Sequence, residues 1–366
     1  MTQLPSSSST QPPSDPATQQ PDYRAILEGA AIGAVASRRQ IAVAGQDRAS
    51  FLQGLLTNDI QALVPGSGCY AAWLTPQGRM LTDMHLLESG GMILLDVPAE
   101  LADATLARLE QFVFTEDVKL GSFAESMTGV WLHGPRAAAV LERALEGAQG
   151  LADWTDYHHT QLEFSGEPVV VARIDQLAVP GYCLYLDPSR ESSVLDALGK
   201  GGAVMAGAEA IAAARIEAGY PVFGVDMTDD TIPLEAGIEE RAISFSKGCY
   251  VGQEVIIRVV HRGHGRVARK LVGLRVDGPR PSPGARLFAA PSETVASADG
   301  SPTRETVAGG LQASGRDIGF VTSAAESPRL GIVAMGYVHR DFVEAGTRVA
   351  VTTDAGRVPA IVGVRS

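Results

Sequence analysis

The segment Lys247-Gly248-Cys249-Tyr250-Val251-Gly252-Gln253-Glu254 places a single cysteine between two glycines. Gly248 and Gly252 permit backbone conformations and close approaches that a Cβ would block. The ammonium of Lys247 can lower the pKa of the Cys249 thiol and so favour the reactive thiolate. We therefore expect this segment to present a reactive thiol, with the rest of the chain as its supporting platform.

Composition and charge limit the function classes. The chain has 366 residues, 45% of them hydrophobic, and a formal net charge of −12. That length allows about two to three domains, and the negative charge argues against a general nucleic-acid or anionic-membrane binder. No apolar run approaches the ~20 residues that cross a bilayer. Cys69, Cys183 and Cys249 are widely spaced and form no CxxC pair, which favours a reducing cytosol over a zinc site or a disulfide scaffold. We expect a cytoplasmic protein.

The first 22 residues are dominated by Ser, Pro, Gln and Thr. Such a segment cannot bury enough apolar surface to offset the entropy of ordering, so we predict a disordered tail. It lacks the apolar core of a secretory signal and the arginines of a mitochondrial presequence, so it is not expected to be a targeting signal.

Two similar patterns of strands and helices follow. In 23–125, apolar alternation predicts strands at 41–43, 69–74, 80–87, 92–97 and 118–120, with helices after Asp47 and from about 99. In 126–266, strands are predicted at 130–132, 167–174 and 182–186, with helices at 135–145, 192–198, 207–218 and 252–260. Each pattern is typical of a split β-α-β unit with a largely antiparallel sheet.

The last region, 267–366, changes to short strands punctuated by Gly and Pro, which predicts a small barrel or sandwich. A polar, low-complexity stretch at 289–308 is expected to be a long mobile loop within it. Before this region, 220–240 is predicted to be an acidic loop. A metal site there is an alternative, but no His or Cys joins the acidic residues, so we predict no metal.

Several interpretations of Cys249 remain open. A lone cysteine can be a small buried apolar residue, as we expect for Cys69 and Cys183 inside their strands. A protease-type nucleophile would need a histidine base, and His261 and His264 follow nearby in sequence only. These histidines share a basic run with Arg258 that either binds carboxylates or phosphates or forms a solvated hinge.

Two carboxylates occupy otherwise apolar elements. Asp83 is interior to a predicted strand, and Glu217 ends an alanine-rich helix. A buried carboxylate must find partners or shift its pKa, so such positions are enriched at functional sites. For either residue alone, a structural role is the competing interpretation.

The octet from Lys247 to Glu254 resembles the signature of the YgfZ-type folate-binding proteins, relatives of the glycine-cleavage T-protein (aminomethyltransferase). Weaker similarities extend the resemblance over about 40–364. They comprise Phe51-Leu52-Gln53-Gly54, Thr57-Asn58-Asp59-Ile60, Gly78-Arg79 with Asp83, Arg215-Ile216-Glu217-Ala218-Gly219 with Pro221, Pro233-Leu234-Glu235, Val321-Thr322-Ser323 and Ser327-Pro328.

The resemblance implies an α+β fold, with two interlocked ferredoxin-like (split β-α-β) subdomains at about 23–125 and 126–266 and a C-terminal small β-barrel. It implies a central site for tetrahydrofolate or a derivative. By resemblance, Glu217 holds the pterin ring and Asp83 lies at or beside the acidic position that faces the folate. The candidate folate contacts further include Asn58, Tyr250, Gln253 and Arg258.

Three departures from the T-protein pattern bear on the reaction. T-proteins carry two adjacent acids where this chain has Thr82-Asp83, and an Asn-rich segment where it has Leu95-Asp96-Val97-Pro98. Their counterpart of the Cys249 octet lacks the conspicuous cysteine. The resemblance therefore implies a tetrahydrofolate-binding accessory factor that assembles or maintains iron–sulfur clusters in client enzymes, with Cys249 as the reactive thiol. One thiol cannot hold a cluster in the usual four-cysteine manner.

Two rival functions stay open. The first is a folate-dependent aminomethyltransferase or demethylase that uses Asp83 near the reacting nitrogen. The second is a non-catalytic interaction module in which Cys249 is structural. The expected partners are a folate and iron–sulfur client or assembly proteins, without nucleic acid or membrane.

Overall fold

The computed structural model describes residues 20–261, 266–290 and 315–364. Most of the predicted tail at 1–22 and most of the predicted loop at 289–308 lie outside these ranges. The described chain contains two sheets and a closed six-stranded barrel. No helix in these ranges is long and apolar enough to span a membrane.

The first sheet is antiparallel and has the strand order β3-β4-β5-β2-β6. The elements of this half, in chain order, are α1 (Pro21–Glu28), β1 (Ala31–Ile32), β2 (Arg38–Ala44), α2 (Arg48–Leu55), β3 (Ser67–Leu74), β4 (Met80–Glu88), β5 (Met92–Pro98), α3 (Ala102–Glu110) and β6 (Lys119–Ser122). Helix α1 has Pro21 in its first turn, where the missing N–H costs nothing. Regular structure therefore begins inside the last residues of the predicted tail.

The second sheet has the order β11-β1-β7-β10-β9-β8. Its elements are β7 (Thr128–His133), α4 (Ala137–Ala144), β8 (His159–Phe164), β9 (Glu167–Arg173), β10 (Gly181–Leu186), α5 (Glu191–Lys200), β11 (Val204–Met205) and α6 (Ala208–Ala218). Strand β1 pairs with β7 and β11, although it precedes the whole first sheet in the chain. This crossing interlocks the two subdomains, and it places the start of the predicted 23–125 unit in the second sheet.

Three short helices lead to the barrel. They are α7 (Pro233–Ala236), α8 (Glu239–Ala242) and α9 (Gln253–His261). The barrel closes in the order β12-β15-β14-β13-β16-β17. Its strands are β12 (Arg269–Val276), β13 (Arg286–Ala289), β14 (Asp317–Ser327), β15 (Gly331–His339), β16 (Arg348–Thr353) and β17 (Gly356–Val362).

The two sheets face each other, and their outer faces are covered by helices. On the first sheet, Ile41, Leu86 and Leu95 pack against Leu52 of α2 and Leu109 of α3. The opposite faces meet in a smaller apolar cluster that joins β4 and β5 to the second sheet; its buried members are Leu87, Leu94, Trp131, Ala172, Ile174, Cys183 and Tyr185. Because side chains alternate along a strand, the polar residues between the apolar ones project into this inter-sheet space.

The predicted α+β fold, with interlocked subdomains and a C-terminal barrel, is confirmed. Strands β8 and β13 were not predicted, and the predicted 220–240 loop contains α7 and the start of α8. Pro233 at the start of α7 and left-handed Gly237 at its end are the sequence signals for that short helix.

Candidate functional site

A row of polar side chains crosses the inner face of the first sheet. Taken strand by strand, its members are Gln40 of β2, Asp96 of β5, His85 of β4 and Tyr70 of β3. Arg38 and Asp83 lie two residues before Gln40 in β2 and before His85 in β4, so they project from the same face. All six side chains are buried or nearly so.

Arg38 bridges the two carboxylates of this face. Its Nη1 lies 3.3 Å from Asp83 Oδ1 and its Nε 3.3 Å from Asp96 Oδ2. Its Nη2 donates to the main-chain oxygen of Asp96 at 2.5 Å. The other oxygen of Asp83, Oδ2, accepts a 2.7 Å hydrogen bond from the Tyr70 hydroxyl. One guanidinium therefore serves both acids.

The remaining contacts of Asp96 come from both sheets. Gln40 Nε2 donates to its Oδ1 at 2.9 Å, and the Tyr185 hydroxyl of β10 donates to its Oδ2 at 3.1 Å. The Asp96 carboxylate is therefore held from the first and second sheets at once.

The second half of the chain completes the polar assembly. The Tyr157 hydroxyl lies 2.7 Å from His85 Nδ1, and Gln176 Nε2 lies 3.4 Å from His85 Nε2. The Arg241 guanidinium lies between two rings, 4.5 Å from the centre of Tyr70 and 4.0 Å from that of Tyr220. We call the assembly the central cluster; its members are Arg38, Gln40, Tyr70, Asp83, His85, Asp96, Tyr157, Gln176, Tyr185, Tyr220 and Arg241.

Burial sets the charge state of several members. Burial, helped by the nearby Arg38 and Arg241 guanidinium groups, holds the pKa of His85 well below its usual value, so the ring is neutral. Burial also raises the pKa of Asp96, an effect that Arg38 opposes. For Arg38 itself, burial would lower the pKa, but Asp83 and Asp96 outweigh it and hold the pKa above its ordinary value.

The central cluster is incompletely paired. Among the described residues, a few buried side-chain nitrogen and oxygen atoms have no hydrogen-bond partner, and those of the cluster are Arg38 Nε, Gln176 Oε1 and Arg241 Nη2. Gln176 and Arg241 both contact Tyr220. Buried unpaired polar groups are costly and uncommon in native proteins. One acceptor and one donor without partners beside the same ring indicate a site built for a further polar group.

A cleft of about 250 Å³ reaches the cluster from outside. Arg38 forms part of its lining, and the other walls come from the segment before β2, the end of β5 and the loop after Tyr220; they are Val35, Ala36, Ser37, Pro98, Glu100, Val222, Phe223, Gly224 and Val225. The cleft therefore connects the surface with the guanidinium that holds both carboxylates.

Glu217 lies in a different network, between α1, α6 and the barrel. Its carboxylate accepts hydrogen bonds from the Tyr23 hydroxyl at 2.7 Å, the Ser327 hydroxyl at 2.5 Å and Arg329 at 2.6 Å. Its neighbour in the Arg215-to-Gly219 motif, Arg215, pairs with Asp226 at 2.5 Å. The motif thus attaches α6 to the barrel.

Asp226 is the most densely bonded carboxylate of that network. It accepts from Thr322 at 2.6 Å, Ser323 at 2.7 Å and the main-chain N–H of Val222 at 3.1 Å, besides Arg215. We call this set the barrel-docking network; its members are Tyr23, Arg215, Glu217, Asp226, Thr322, Ser323, Ser327 and Arg329. It fixes the loop that carries Tyr220 and lines the cleft.

Lys247 is directed into the end of α2. Its ammonium donates to the main-chain oxygens of Gln53, Leu56 and Asn58 at 2.7, 2.7 and 2.6 Å. Burial lowers the pKa of Lys247 to about 8, with Asp59 and Cys69 opposing. All three N–H donors are used, so the expected pairing with the Cys249 thiol is not formed. Lys247 instead satisfies carbonyls that the end of a helix leaves without partners.

The glycines of the octet have different roles. Gly252 has φ +86°, and a Cβ there would lie 2.5 Å from the oxygen of Thr75. Gly248 has open space around the same position, so the expected close approach applies only to Gly252. Between them, Cys249 is exposed, Cys183 is buried and Cys69 is intermediate. Burial raises the pKa of the Cys69 thiol to about 12.

The other predicted contact residues do not join the central cluster directly. Asn58 Nδ2 donates to the main-chain oxygens of Tyr70 and Arg241 at 2.8 and 3.0 Å, which ties two cluster residues together through their backbones. Tyr250 is buried in an apolar cluster, and burial raises its pKa to about 12. Gln253 and Glu254 begin α9, and Arg258 lies exposed in its last turn. His264 lies outside the described residues.

Sequence reasoning missed most of the central cluster. Asp96 stands inside a strand as apolar as that of Asp83, so the same argument could have identified it. Arg38, Tyr70 and His85 alternate with buried apolar residues, which was a weaker signal. Within 20–261, 266–290 and 315–364, no group of three or more His, Cys, Asp or Glu side chains could hold a metal ion.

Comparisons with known proteins identify relatives over nearly the whole chain. The model of the GCVT N-terminal domain matches residues 10–247, and that of the glycine cleavage T-protein C-terminal barrel domain matches 269–366. The aminomethyltransferase of Bacillus subtilis (strain 168) is 27% identical over 337 residues, covering 90% of this chain and 85% of that protein. The aminomethyltransferase of Synechococcus sp. (strain RCC307) is also 27% identical, covering 93% and 88%.

A solved structure shares the fold. The glycine cleavage system aminomethyltransferase T from Bartonella henselae superposes with a TM-score of 0.77 and 24% identity, covering 93% of this chain and 87% of that one.

Proposed function

The chain belongs to the glycine cleavage T-protein family, and on that premise we propose that it binds a tetrahydrofolate-type ligand at the central cluster. The observation that carries the proposal is the pair of buried unpaired atoms, Gln176 Oε1 and Arg241 Nη2, beside two acidic side chains. No other feature of the described chain combines buried carboxylates, aromatic rings and unpaired polar atoms of both kinds.

The residues present fit the pterin ring. Its amino-pyrimidine edge carries adjacent N–H donors, and an ionised carboxylate such as Asp83 accepts them. The ring oxygen and nitrogen acceptors need a donor, which Arg241 Nη2 supplies. Tyr70, Tyr157 and Tyr220 offer flat faces for a conjugated ring.

Binding requires the cluster to open. The cleft measures about 250 Å³, below the roughly 300–1,000 Å³ of most ligand pockets. The Arg241 guanidinium stacks on Tyr220, 4.0 Å from the centre of the ring. We propose that this stack separates to admit the ring.

Among the predicted folate contacts, Asp83 is the one we place against the pterin. Glu217 already accepts three hydrogen bonds at 2.5–2.7 Å, so a ligand there would have to displace Ser327, Arg329 or Tyr23. Asn58 supports the site through the backbone of Tyr70 and Arg241. Contacts from Tyr250, Gln253 and Arg258 remain predictions.

The relatives favour a folate-dependent transfer of a one-carbon unit. The proteins from B. subtilis and Synechococcus are named aminomethyltransferases and are covered over 85% and 88% of their lengths. Bound at the cluster, tetrahydrofolate would supply the nitrogen that takes up or releases the carbon unit. The chain would contribute the Asp83 carboxylate, the neutral His85 and a dry, enclosed surface.

The exposed thiol of Cys249 favours a second candidate function. This is the accessory role in assembling or maintaining iron–sulfur clusters of client enzymes, in which folate and thiol act together. Cys249 is the one exposed thiol of the three, and it would act as a single ligand towards a client's cluster rather than hold a cluster by itself. The same folate site serves both candidates, and they differ in whether Cys249 is needed.

Calorimetric titration with 5-formyltetrahydrofolate, a stable reduced folate, tests the binding proposal. Saturable binding at one ligand per chain is expected. Absence of binding at ligand concentrations up to about 1 mM would overturn it. A Kd of that size corresponds to a binding free energy of only about 4 kcal/mol. Turnover assays with tetrahydrofolate and methylamine donors, compared between the wild type and Cys249→Ala, then separate the candidates. Equal turnover supports one-carbon transfer.

The accessory role has its own assay. Deletion of the gene, followed by complementation with wild type, Cys249→Ala or Cys69→Ala, is read out as the activity of iron–sulfur enzymes in the cell. Loss that wild type and Cys69→Ala restore but Cys249→Ala does not would support the accessory role. Unchanged activities after deletion would exclude it.

A further inference from the structure

Arg38 separates the cleft from the buried carboxylates. It lines the cleft, yet its side chain is only 8% exposed because its other side contacts Asp83 and Asp96. A ligand that enters by this cleft meets Arg38 before it meets either acid. The inference below rests on the proposed folate site and assigns a role within it.

The two carboxylates are held to different extents. Asp96 has Gln40 on Oδ1 at 2.9 Å and Tyr185 on Oδ2 at 3.1 Å, and its main-chain oxygen binds Arg38 at 2.5 Å. Asp83 has the Tyr70 hydroxyl on Oδ2 at 2.7 Å, but its Oδ1 has only the long 3.3 Å contact with Arg38. A carboxylate oxygen accepts about two hydrogen bonds. Asp83 Oδ1 can therefore accept a further hydrogen bond from a ligand, whereas both carboxylate oxygens of Asp96 already have protein partners.

The charges of the cluster balance only with Arg38 present. Two carboxylates, Asp83 and Asp96, face two guanidinium groups, Arg38 and Arg241. The other titratable side chains that face them are neutral, since burial lowers the pKa of His85 and raises the pKa of Tyr70, Tyr157 and Tyr185. Removal of one guanidinium would leave a buried negative charge without compensation, which destabilises the folded protein or draws in a proton.

We propose that Arg38, anchored on Asp96, is the positioning residue of the folate site. Its Nη2 hydrogen-bonds the main-chain oxygen of Asp96 and its Nε lies 3.3 Å from the Asp96 carboxylate, while its Nη1 holds the Asp83 carboxylate with Oδ1 available to the ligand's N–H donors. Asp96 is thus the anchor, and Asp83 is the residue that contacts the ligand. An amide at position 96 would retain the shape of the anchor and lose its charge.

Four variants test this division of roles. Arg38→Met removes the positive charge and keeps much of the side-chain volume. Arg38→Lys keeps the charge but lacks the several N–H donors of the guanidinium. Asp96→Asn removes the charge of the Asp96 carboxylate that anchors Arg38. Arg39→Met is the matched control, because Arg39 is the adjacent, exposed arginine of β2. The probe is 5-formyltetrahydrofolate, titrated between about pH 6 and pH 8, because burial raises the pKa of carboxylates that lack a compensating charge, and two adjacent carboxylates titrate as a coupled pair.

The wild type and Arg39→Met should bind with affinities that change less than about twofold across this range. Arg38→Met should bind at least about tenfold more weakly at the acid end and recover towards the alkaline end, since the uncompensated pair of carboxylates must lose its shared proton before it can accept the ligand's N–H donors. Arg38→Lys should show a weaker but pH-independent affinity. Asp96→Asn combined with Arg38→Met should be no worse than Arg38→Met alone, because the two act as one unit.

Urea unfolding of the ligand-free proteins gives a second readout. Arg38→Met should lose stability relative to Arg39→Met as the pH rises, because the uncompensated carboxylates must ionise together. If Arg38→Met does not fold, the affinities and unfolding free energies of Arg38→Lys and Asp96→Asn are compared with those of Arg39→Met instead. A uniform loss of affinity at every pH, or affinities within about twofold of wild type, would overturn the positioning role. Absence of binding by the wild type would instead overturn the folate site itself, and the urea series would still decide whether Arg38 compensates the acids.

Discussion

The protein contains two buried polar networks, and they differ in completeness. In the barrel-docking network, contacts with Glu217 and Asp226 span 2.5–3.1 Å, and none of its described members has a buried atom without a partner. In the central cluster, contacts of Arg38 and Gln176 stretch to 3.3–3.5 Å, and three atoms, Arg38 Nε, Gln176 Oε1 and Arg241 Nη2, lack hydrogen-bond partners. The barrel-docking network is fully paired without a ligand, and the central cluster is not.

This difference separates structure from function more clearly than residue type does. Both networks contain buried Asp–Arg pairs, and Asp83 and Glu217 resemble each other as acids in apolar elements. Evolution towards stability alone would favour full pairing, because a half-satisfied buried network costs more than an apolar one. The central cluster retains buried polar atoms without partners, and a binding site needs such atoms to pair with its ligand.

The largest expected effect comes from disrupting the barrel-docking network. Asp226→Ala should lower the free energy of unfolding by about 3–5 kcal/mol, because it leaves Arg215 buried without its partner. Urea unfolding measures it, with Asp229→Ala, an exposed acid of the same loop, as the control. A loss below about 1 kcal/mol would mean that the network does not stabilise the barrel contact.

The same kind of change in the central cluster should affect binding more than folding. Asp83→Asn keeps the size of the side chain and removes the ionised acceptor, so the affinity for 5-formyltetrahydrofolate should fall about 10- to 100-fold, as for a charged hydrogen bond of about 1.5–3 kcal/mol. Glu217→Gln is the matched control and should leave affinity within about threefold. The reverse ranking would place the ligand at Glu217.

Lys247 provides a third buried charge with complete pairing. Lys247→Met should destabilise the protein by about 1–3 kcal/mol near neutral pH, since three carbonyls lose their donor. Burial lowers the pKa of Lys247 from 10.5 to about 8. The unfolded chain therefore binds more protons between these values, and the unfolding free energy of the wild type should rise with pH relative to the variant. Urea midpoints at several pH values measure the difference, and parallel curves would contradict the burial of the ammonium.

The smallest effect concerns the neutral His85. Its pKa in the folded state is held well below 6.5 by burial, so the stability it contributes is complete above that value and is lost as the pH falls. The wild type should lose up to about 1.4 kcal/mol per pH unit more than His85→Gln below about pH 6.5. Thermal or urea unfolding at about pH 5 and pH 7 tests it. An equal loss in both proteins would show that the ring takes up a proton while folded.

Local patterns in the sequence predicted the fold well and the site only in part. Alternation found β2 to β5, and Gly219 marked the end of α6, because both signals are short-range. Whether Glu217 faces a ligand or the barrel depends on its contact with Ser327, 110 residues away in the sequence. A pattern of neighbouring residues cannot reveal such a distant contact. Arg38 was missed for the same reason, since its carboxylate partners lie 45 and 58 residues further along the chain.

The octet around Cys249 shows the same limit. Its spacing identified the family resemblance, and the close approach at Gly252 follows from the residue type. The direction of Lys247 could not be inferred, because its partners belong to the end of α2, about 190 residues earlier. A cation two residues from a thiol indicates activation only when the fold leaves that cation free.

The most direct test of the incomplete network is a crystal structure with bound 5-formyltetrahydrofolate. The pterin ring should lie between Tyr220 and the inner face of the first sheet, with Asp83 Oδ1, Gln176 Oε1 and Arg241 Nη2 each within hydrogen-bonding distance. Glu217 should keep its contacts with Tyr23, Ser327 and Arg329. A ligand bound at Glu217, or a bound ligand that leaves Gln176 Oε1 and Arg241 Nη2 unpaired, would contradict the account.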